Sequence, residues 1–255
     1  MEANMSLIEK IFSSGIVGDY FLNNSENTLA LVLFIISVAV VIIAAYLLGS
    51  INFAIIISGK KYKQDIRDHG SKNAGMTNMM RTYGKKAAGL TLLGDALKAV
   101  AACLIGYVLI GNLGAYIAGL FCILGHIFPI FYRFKGGKGV VTTAVSILMC
   151  NPIVFAVLFL IFVIIVLFTK YISLGSVICV LLYPILLDSI NRIFTGQTSP
   201  YIVFTMITAA IVVIKHWGNI KRLAAGTESK FSFKKSVKAP EEKAELPAEE
   251  NKEDK

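Results

Sequence analysis

Two long stretches of this chain, residues 29–58 and 139–169, carry no charged side chain. A helix needs about 20 predominantly apolar residues to cross the hydrocarbon core of a bilayer. The whole chain is 56% hydrophobic, with a mean hydropathy of +0.70, which is far above the range of soluble domains. The sequence therefore predicts an all-α integral membrane protein that crosses the bilayer several times.

The apolar runs predict a bundle of seven membrane spans, at approximately 29–57, 88–110, 113–132, 140–150, 152–169, 172–187 and 201–215. We expect Asn151-Pro152 to separate the fourth span from the fifth, because proline inside a helix costs about 3 kcal/mol. One continuous helix over 139–169 is the alternative. Only the broken form puts loops 59–87 and 133–138 on the same side as the basic stretch 215–238, and the positive-inside bias makes that side cytoplasmic. The N-terminus is then outside and the C-terminus inside.

The two ends of the chain differ in charge from its middle. Residues 1–28 carry a net charge of −3 and residues 239–255 a net charge of −4, whereas the chain as a whole carries +9. We predict an extracytoplasmic extension over 1–28, with a weakly amphipathic piece around Met5–Phe12 and no cleaved signal peptide. Residues 29–230 form the membrane domain, and 231–255 form a charged, disordered cytoplasmic tail.

Most cations lie in loops beside apolar runs, so membrane lipid and orientation explain them better than nucleic acid does. The four cysteines lie inside apolar runs without paired spacing, which indicates reduced thiols. The three histidines form no cluster with cysteines or acids at ligand spacing. We therefore predict no metal held by the protein and no cofactor.

Two short segments combine glycines with cations, hydroxyls and amides. The first is 70–78, which contains Ser71, Asn73, Gly75, Thr77 and Asn78, and the second is 134–139, which contains Gly136, Gly137, Lys138 and Gly139. Glycine lets backbone N–H groups turn toward an anion, and the second segment leads to Thr142 at a predicted helix N-terminus. The spacing of a P-loop is absent. Both segments indicate phosphate binding at a membrane surface.

Several polar residues interrupt the predicted spans. Lys98 lies three residues after Asp95, on the same helix face, and either forms a self-neutralising pair that snorkels outward or points into a polar cavity toward an anion. Ser50 lies in Gly49–Asn52, which either allows close helix packing or lines the same cavity. A lone histidine such as His126 is most often a hydrogen-bonded structural residue.

A third polar group follows the last predicted span and includes His216, Asn219 and Arg222. Glu228 is the only acid between positions 189 and 238. Its simplest role is a salt bridge that ties this segment to the basic loops.

These segments, in this order, resemble the bacterial acyl-phosphate-dependent (PlsY-type) glycerol-3-phosphate acyltransferases over about residues 44–230. Gly49–Ile51 resembles the first family motif, and Arg67 to Asn78 with Arg81 resembles the loop rich in serine, glycine and asparagine that follows it. Gly125-His126 followed by 134–143 resembles the second, and His216 to Glu228 resembles the third. Lys72 and Met76 depart from the pattern, since the family usually has glycine and alanine there.

The resemblance implies a seven-span fold around a cytoplasm-facing cavity in the bacterial plasma membrane. It also implies transfer of a fatty acyl group from acyl phosphate to the 1-hydroxyl of sn-glycerol 3-phosphate, giving lysophosphatidic acid and phosphate. An enzyme that produces acyl phosphate would be a partner. The chain lacks the histidine-four-residues-aspartate motif of thioester-using acyltransferases, so direct attack by the glycerol hydroxyl is favoured, with a substrate phosphate oxygen taking the proton.

On this basis we predict roles for individual residues. Ser50, Arg67, Lys98 and Lys138 bind the glycerol phosphate or the charge at the transfer site, while His216 and Asn219 hold the glycerol hydroxyls. Segment 70–78, Glu228, Gly139, Gly136, Gly137 and Thr142 complete the substrate sites. The alternatives are a transporter of a phosphorylated solute and a non-catalytic scaffold for other lipid enzymes.

Overall fold

The computed structural model describes residues 13–231, and these form a bundle built of helices. Ten α-helices occur in that range: α1 (Ile16–Asn23), α2 (Thr28–Ser50), α3 (Phe53–Tyr62), α4 (Met76–Tyr83), α5 (Lys85–Ile127), α6 (Val140–Cys150), α7 (Pro152–Thr169), α8 (Ile172–Thr195), α9 (Ile202–Lys215) and α10 (Trp217–Ala224). Short 3₁₀ turns lie at Ile66–Asp68 and Ile130–Tyr132. The amphipathic piece around Met5–Phe12 and the tail from residue 232 lie outside the described residues.

Helix α2 packs through small side chains. Its buried face includes Ser37, Val41, Ala45 and Gly49, spaced four residues apart, while large apolar residues on its other faces are exposed. A Cβ on Gly49 would collide with the backbone of Cys122 in α5. Small residues let helices approach closely where burial of apolar area gives no advantage over lipid. The structure therefore supports the packing interpretation of Gly49.

Helix α5 is not one straight helix but consists of two helical arms that form a hairpin. Its backbone breaks at Ile110 and Gly111, and Gly111 has a φ of +62° that favours glycine. A Cβ on Gly106 would meet the carbonyl of Gly114, so the two arms run side by side. The prediction of two separate apolar elements here is correct, although the second arm ends at Ile127 and not at 132.

Asn151 separates α6 from α7, as the sequence predicts, and Pro152 takes the first position of α7, where its missing N–H costs nothing. Helix α8 continues to Thr195, eight residues beyond the predicted end, and tolerates Pro184 in its interior. It ends where Gly196 adopts the left-handed conformation.

By length and composition, four helices among the described residues could cross a membrane, or five if α9 and α10 count as one bent span. Helix α6 is a shorter apolar helix. Long apolar side chains are exposed along α2, α7 and α8, for example Phe168 and Ile193. This surface suits a hydrocarbon environment.

Candidate active site

A cavity of about 350 Å³, the polar cavity, opens where the polar segments of the sequence converge. Its polar lining residues are Ser71, Asn73, Thr77, Asn78, Arg81, Asp95, His126, Lys138, Ser173, His216, Asn219, Arg222, Glu228 and Ser229. Gly75 and Gly139 also line it. Segments 70–78 and 134–139 thus contribute to one cavity, together with residues from α5, α8 and α10.

The loop before α4 is fixed by one side chain. Nδ2 of Asn78 donates to the carbonyls of Ile66, His69 and Asn73 at 3.2, 2.9 and 3.0 Å, and Oδ1 accepts from the N–H of Ser71 at 2.9 Å. Asn78 is 1% exposed. Its amide therefore holds the loop in shape, while its neighbours in the cavity remain available to a ligand.

Lys138 begins a chain of polar contacts across the cavity. Its Nζ donates to Oδ1 of Asn219 at 2.6 Å, and Nδ2 of Asn219 donates to Oε1 of Glu228 at 2.6 Å. Ser173 donates to the same carboxylate oxygen at 2.7 Å, and Arg222 pairs with the other at 2.7 Å. Glu228 therefore joins α8 to α10, and its salt bridge is to Arg222 of its own segment and not, as the sequence suggested, to a basic loop.

Burial and these polar contacts shift the pKa values of Lys138 and Glu228. Burial lowers the pKa of Lys138 to about 8, although the nearby Glu228 carboxylate opposes that shift. Burial by itself would raise the pKa of Glu228, but hydrogen bonds from Asn219, Ser173 and Arg222 outweigh it and lower the pKa overall. At neutral pH the pair is thus ionised, with the lysine close to its titration range.

Two arginines of the cavity were missed as site residues by the sequence reasoning. Arg81 is half-buried and donates to the carbonyl of Ser229 at 3.2 Å, and burial lowers its pKa from the usual value. Arg222 lies at the rim beside Glu228. Arg81 comes four residues after Thr77, so the helical spacing of α4 was the signal that could have located it. With these two arginines, the cavity lining holds three cations, Lys138, Arg81 and Arg222, and two acids, Asp95 and Glu228.

His216 is 1% exposed and lines the cavity between α9 and α10. Its Nδ1 lies 2.8 Å from the carbonyl oxygen of Val212, an acceptor, so Nδ1 carries the proton. This tautomer leaves Nε2 as a hydrogen-bond acceptor. The geometry suits the binding of a hydroxyl group.

Lys98 does not line the cavity. Its Nζ is surrounded by protein groups: the carbonyls of Gly49 and Ile51 at 3.0 and 2.7 Å, Nδ1 of His126 at 2.9 Å, and Oδ1 of Asp95 at 2.9 Å. The ammonium thus ties α5 to the end of α2, while Asp95 and His126 form part of the cavity wall. The expected contact of Lys98 with an anion has no counterpart in this arrangement, because its donors are already used.

Arg67 is likewise engaged by the protein. It pairs with Asp65 at 2.6 Å and donates to the carbonyls of Tyr132 and Lys135 at 3.0 and 3.1 Å. The hydrogen bonds that the guanidinium donates to the Asp65 carboxylate raise the pKa of Arg67. Arg67 therefore fastens the loop before α4 to the loop before α6, outside the cavity lining.

Gly136 and Gly137 also act differently from the expectation. Their N–H groups donate to the carbonyls of Ile127 and His126 at 3.2 and 3.1 Å and do not face the cavity. A Cβ on Gly137 would collide with the His126 ring and lie 2.6 Å from the carbonyl oxygen of Ala74. These glycines are needed because three segments pack together here.

Ser50 and Thr142 are fully buried outside the cavity lining. The Ser50 hydroxyl donates to the carbonyl of Tyr46 at 2.8 Å, and that of Thr142 donates to the carbonyl of Gly139 at 2.9 Å. Both side chains satisfy local backbone groups near the ends of helices. Their predicted contact with substrate stays a prediction.

A second cavity, the apolar groove, has a volume of about 320 Å³. Its lining includes Phe155, Phe159, Phe162 and Val180 from α7 and α8. Met76, Val140 and Val141 line both this groove and the polar cavity. A polar compartment and an apolar compartment therefore share one wall.

Among the residues that the structure describes, no three histidine, cysteine or acidic side chains come together as metal ligands. Cys103 and Cys122 are buried free thiols, and Cys150 and Cys179 are partly buried ones.

Comparison with known proteins identifies relatives over most of the chain. The family model for glycerol-3-phosphate acyltransferase matches residues 39–226. A glycerol-3-phosphate acyltransferase of Thermoanaerobacter pseudethanolicus is 43% identical over 196 residues, which cover 77% of this chain and 96% of the relative. One of Finegoldia magna is 42% identical over 191 residues, covering 74% and 93%.

Two solved structures have a similar fold. The glycerol 3-phosphate form of PlsY, an integral membrane glycerol 3-phosphate acyltransferase, is 33% identical with a TM-score of 0.68. Its lysophosphatidic acid form is 32% identical with a TM-score of 0.65. Each match covers 77% of this chain and 96% of the solved chain. Helix α1 precedes the residues matched by the family model.

Proposed function

Because the chain belongs to the glycerol-3-phosphate acyltransferase family, we propose that it moves a fatty acyl group from acyl phosphate to the 1-hydroxyl of sn-glycerol 3-phosphate. The products are lysophosphatidic acid and inorganic phosphate. Family membership establishes an integral membrane acyltransferase that acts on glycerol 3-phosphate. The identity of the donor, the hydroxyl that reacts and the roles of individual residues form the proposal.

The observation that carries this proposal is the shared wall between the two compartments. An acyl phosphate has an apolar chain and an anionic end, and its reactive carbonyl lies between them. With the chain in the apolar groove and the phosphate in the polar cavity, the carbonyl lies beside Met76, Val140 and Val141. Glycerol 3-phosphate, which has no apolar part, occupies the polar cavity only.

The charges of the polar cavity suit two phosphorylated molecules. Lys138, Arg81 and Arg222 supply positive charge, and Ser71 and Thr77 add hydroxyl donors around the start of α4. Arginine binds phosphate oxygens in a bidentate manner and lysine binds them as a point charge. Asp95 and Glu228 are each paired with a cation of the chain, so they repel a bound anion less.

The transfer itself needs positioning and charge stabilisation. The acceptor Nε2 of His216 and the amide of Asn219 orient the glycerol hydroxyls. Oxygen O1 attacks the acyl carbonyl, the bond from that carbon to the phosphate oxygen breaks, and the hydroxyl proton passes to a substrate phosphate oxygen. Lys138 stabilises the negative charge that develops on the departing phosphate.

We assign a positioning role to the predicted residues that lie outside the cavity lining. Lys98 holds the end of α2 against α5, Ser50 accepts a hydrogen bond from the N–H of Ile130 in the turn after α5, and Arg67 holds the two phosphate loops together. Gly136 and Gly137 permit the close approach of those loops to His126. Thr142 supports the turn at which α6 begins.

We further propose seven spans, an external N-terminus and an internal C-terminus, in a bacterial plasma membrane. The two arms of α5 and the break at Asn151 support this count, because each reverses or interrupts an apolar helix. The polar cavity then faces the cytoplasm, where glycerol 3-phosphate and an enzyme that makes acyl phosphate would be found.

Purified protein in detergent tests the reaction with palmitoyl phosphate as donor. We expect phosphate release that depends on glycerol 3-phosphate, with lysophosphatidic acid formed in equal amount. Palmitoyl-CoA and palmitoyl-acyl carrier protein, assayed in parallel, should give no product. Transfer from a thioester but not from palmitoyl phosphate would contradict the proposed donor.

A further inference from the structure

We propose that Met76 determines which acyl groups the enzyme accepts, by setting the clearance around the carbonyl end of the chain. The selected feature is bulk close to the carbonyl, such as a methyl branch on the second carbon. This inference rests on the proposed function, because it takes the apolar groove as the acyl site. It concerns the entrance of that groove rather than its length.

Only three residues, within the part of the chain that the structure describes, line both compartments: Met76, Val140 and Val141. The acyl carbon atoms nearest the phosphate must pass these side chains. The large aromatic residues Phe155, Phe159 and Phe162 line only the groove. Selection at the carbonyl end and selection by chain length therefore involve different residues.

The three shared residues differ in stiffness. Val140 and Val141 are β-branched residues in the first turn of α6, where one side-chain rotamer is strongly preferred. Methionine is unbranched, has three rotatable side-chain bonds and fills irregular space. Met76 is partly buried and packs against the core formed around α3 and α4. It is thus the shared residue whose side chain can move.

The backbone around Met76 is held firmly. Met76 begins α4, and the N–H groups of Asn78 and Met79 both donate to the carbonyl of Gly75 at 3.1 Å. The Asn78 amide fixes the preceding loop through four hydrogen bonds. Clearance at the shared wall therefore depends on the size and rotamer of one side chain and not on movement of the loop.

The test compares kcat/KM for palmitoyl phosphate and 2-methylpalmitoyl phosphate in the wild type and in Met76→Ala. We expect Met76→Ala to reduce the preference for the unbranched donor by about tenfold, which is the usual effect of a methylene-sized change in an apolar pocket. The KM for glycerol 3-phosphate should stay within about twofold, since the polar lining is unchanged. Met206→Ala makes the same chemical change at a residue that is 57% exposed, and it should leave the preference unaltered.

Met76→Phe adds bulk at the shared wall where Met76→Ala removes it. It also keeps the proposal testable if Met76→Ala folds poorly. It should strengthen the preference for the unbranched donor while the KM for glycerol 3-phosphate is retained. An unaltered donor preference in a folded Met76 variant would overturn the proposal, as would an equal change in Met206→Ala. Wild-type protein that uses neither acyl phosphate would instead overturn the proposed function.

Discussion

Lys98 is buried and Lys138 is partly buried, and the surroundings of the two lysines differ completely. Lys98 is 4% exposed, and its ammonium contacts Asp95, His126 and the carbonyls of Gly49 and Ile51. The ammonium of Lys138 donates one hydrogen bond to a group of the protein, the Asn219 amide, and otherwise borders the polar cavity. The first lysine is satisfied by the protein, whereas the second borders space that a ligand can fill.

From this difference we infer that Lys98 is a structural cation and Lys138 a substrate-binding one. An ammonium group has three donors, and a buried charge is costly unless it is paired and hydrogen-bonded. Lys98 meets that condition without a ligand, so removing it should affect mainly folding. Lys138 meets it only in part, so removing it should affect mainly turnover.

The largest expected effect is that of Lys98→Met on stability. The change leaves the Asp95 carboxylate buried without its cation, and loss of one partner of a buried pair costs about 3–5 kcal/mol of the free energy of unfolding. Thermal unfolding in detergent should show a markedly lower Tm. The double variant Asp95→Asn, Lys98→Met should recover much of that loss. A normal Tm with abolished turnover would show that Lys98 acts on substrate directly.

Lys138→Met should have the converse effect. We expect kcat/KM for glycerol 3-phosphate to fall by about 10²–10³, which is the usual loss when one preorganised donor to a developing charge is removed. The Tm should remain close to that of the wild type, because no buried acid loses its main partner. Activity within a few-fold of the wild type would make Lys138 equivalent to a surface lysine and remove the contrast with Lys98.

Gly137→Ala tests whether the packing of the phosphate loops supports the polar cavity. The added methyl group meets His126 and Ala74, and overpacking of this kind costs about 1–3 kcal/mol. We expect a lower Tm together with a higher KM for glycerol 3-phosphate, because displaced His126 lines the cavity. Gly59→Ala is the matched control, since nothing lies within 4 Å of its added Cβ. Equal effects of the two substitutions would contradict the packing role.

The smallest expected effect is the pH dependence of the KM for glycerol 3-phosphate. The pKa of Lys138 is lowered to about 8, so the lysine loses its charge as the pH rises through that value. The phosphate of glycerol 3-phosphate has its second pKa near 6 and stays fully charged in this range. KM for glycerol 3-phosphate should therefore rise about tenfold between pH 7 and 9, in proportion to the loss of the protonated lysine. Lys138→Arg, which stays protonated, should flatten this profile, and an equally steep profile in that variant would assign the titration to another group.

The sequence gives a good account of the helices but a partial one of the site. Uncharged runs and the break at Asn151-Pro152 follow from local rules of length and proline geometry, and the structure shows those helices. Lys98 could not be assigned from sequence, because its partners Gly49, Ile51 and His126 are distant along the chain. Arg81 was not singled out as a site residue, although its spacing from Thr77 on α4 was a usable signal; its contact with the carbonyl of Ser229 joins segments that are distant along the chain.

Composition and apolar length by themselves determined that this chain is an all-α membrane protein, because both are local properties. The order of its motifs carried the resemblance to the acyltransferase family, which the comparisons then showed. Only the tertiary structure decided which cations face the cavity and which are already bonded to carbonyl and carboxylate groups of the protein. It also showed that the glycines of 136–137 permit close packing, with their N–H groups bonded to the end of α5. The physical reason is that a polar group's role depends on the neighbours that satisfy it, and distant segments supply those neighbours.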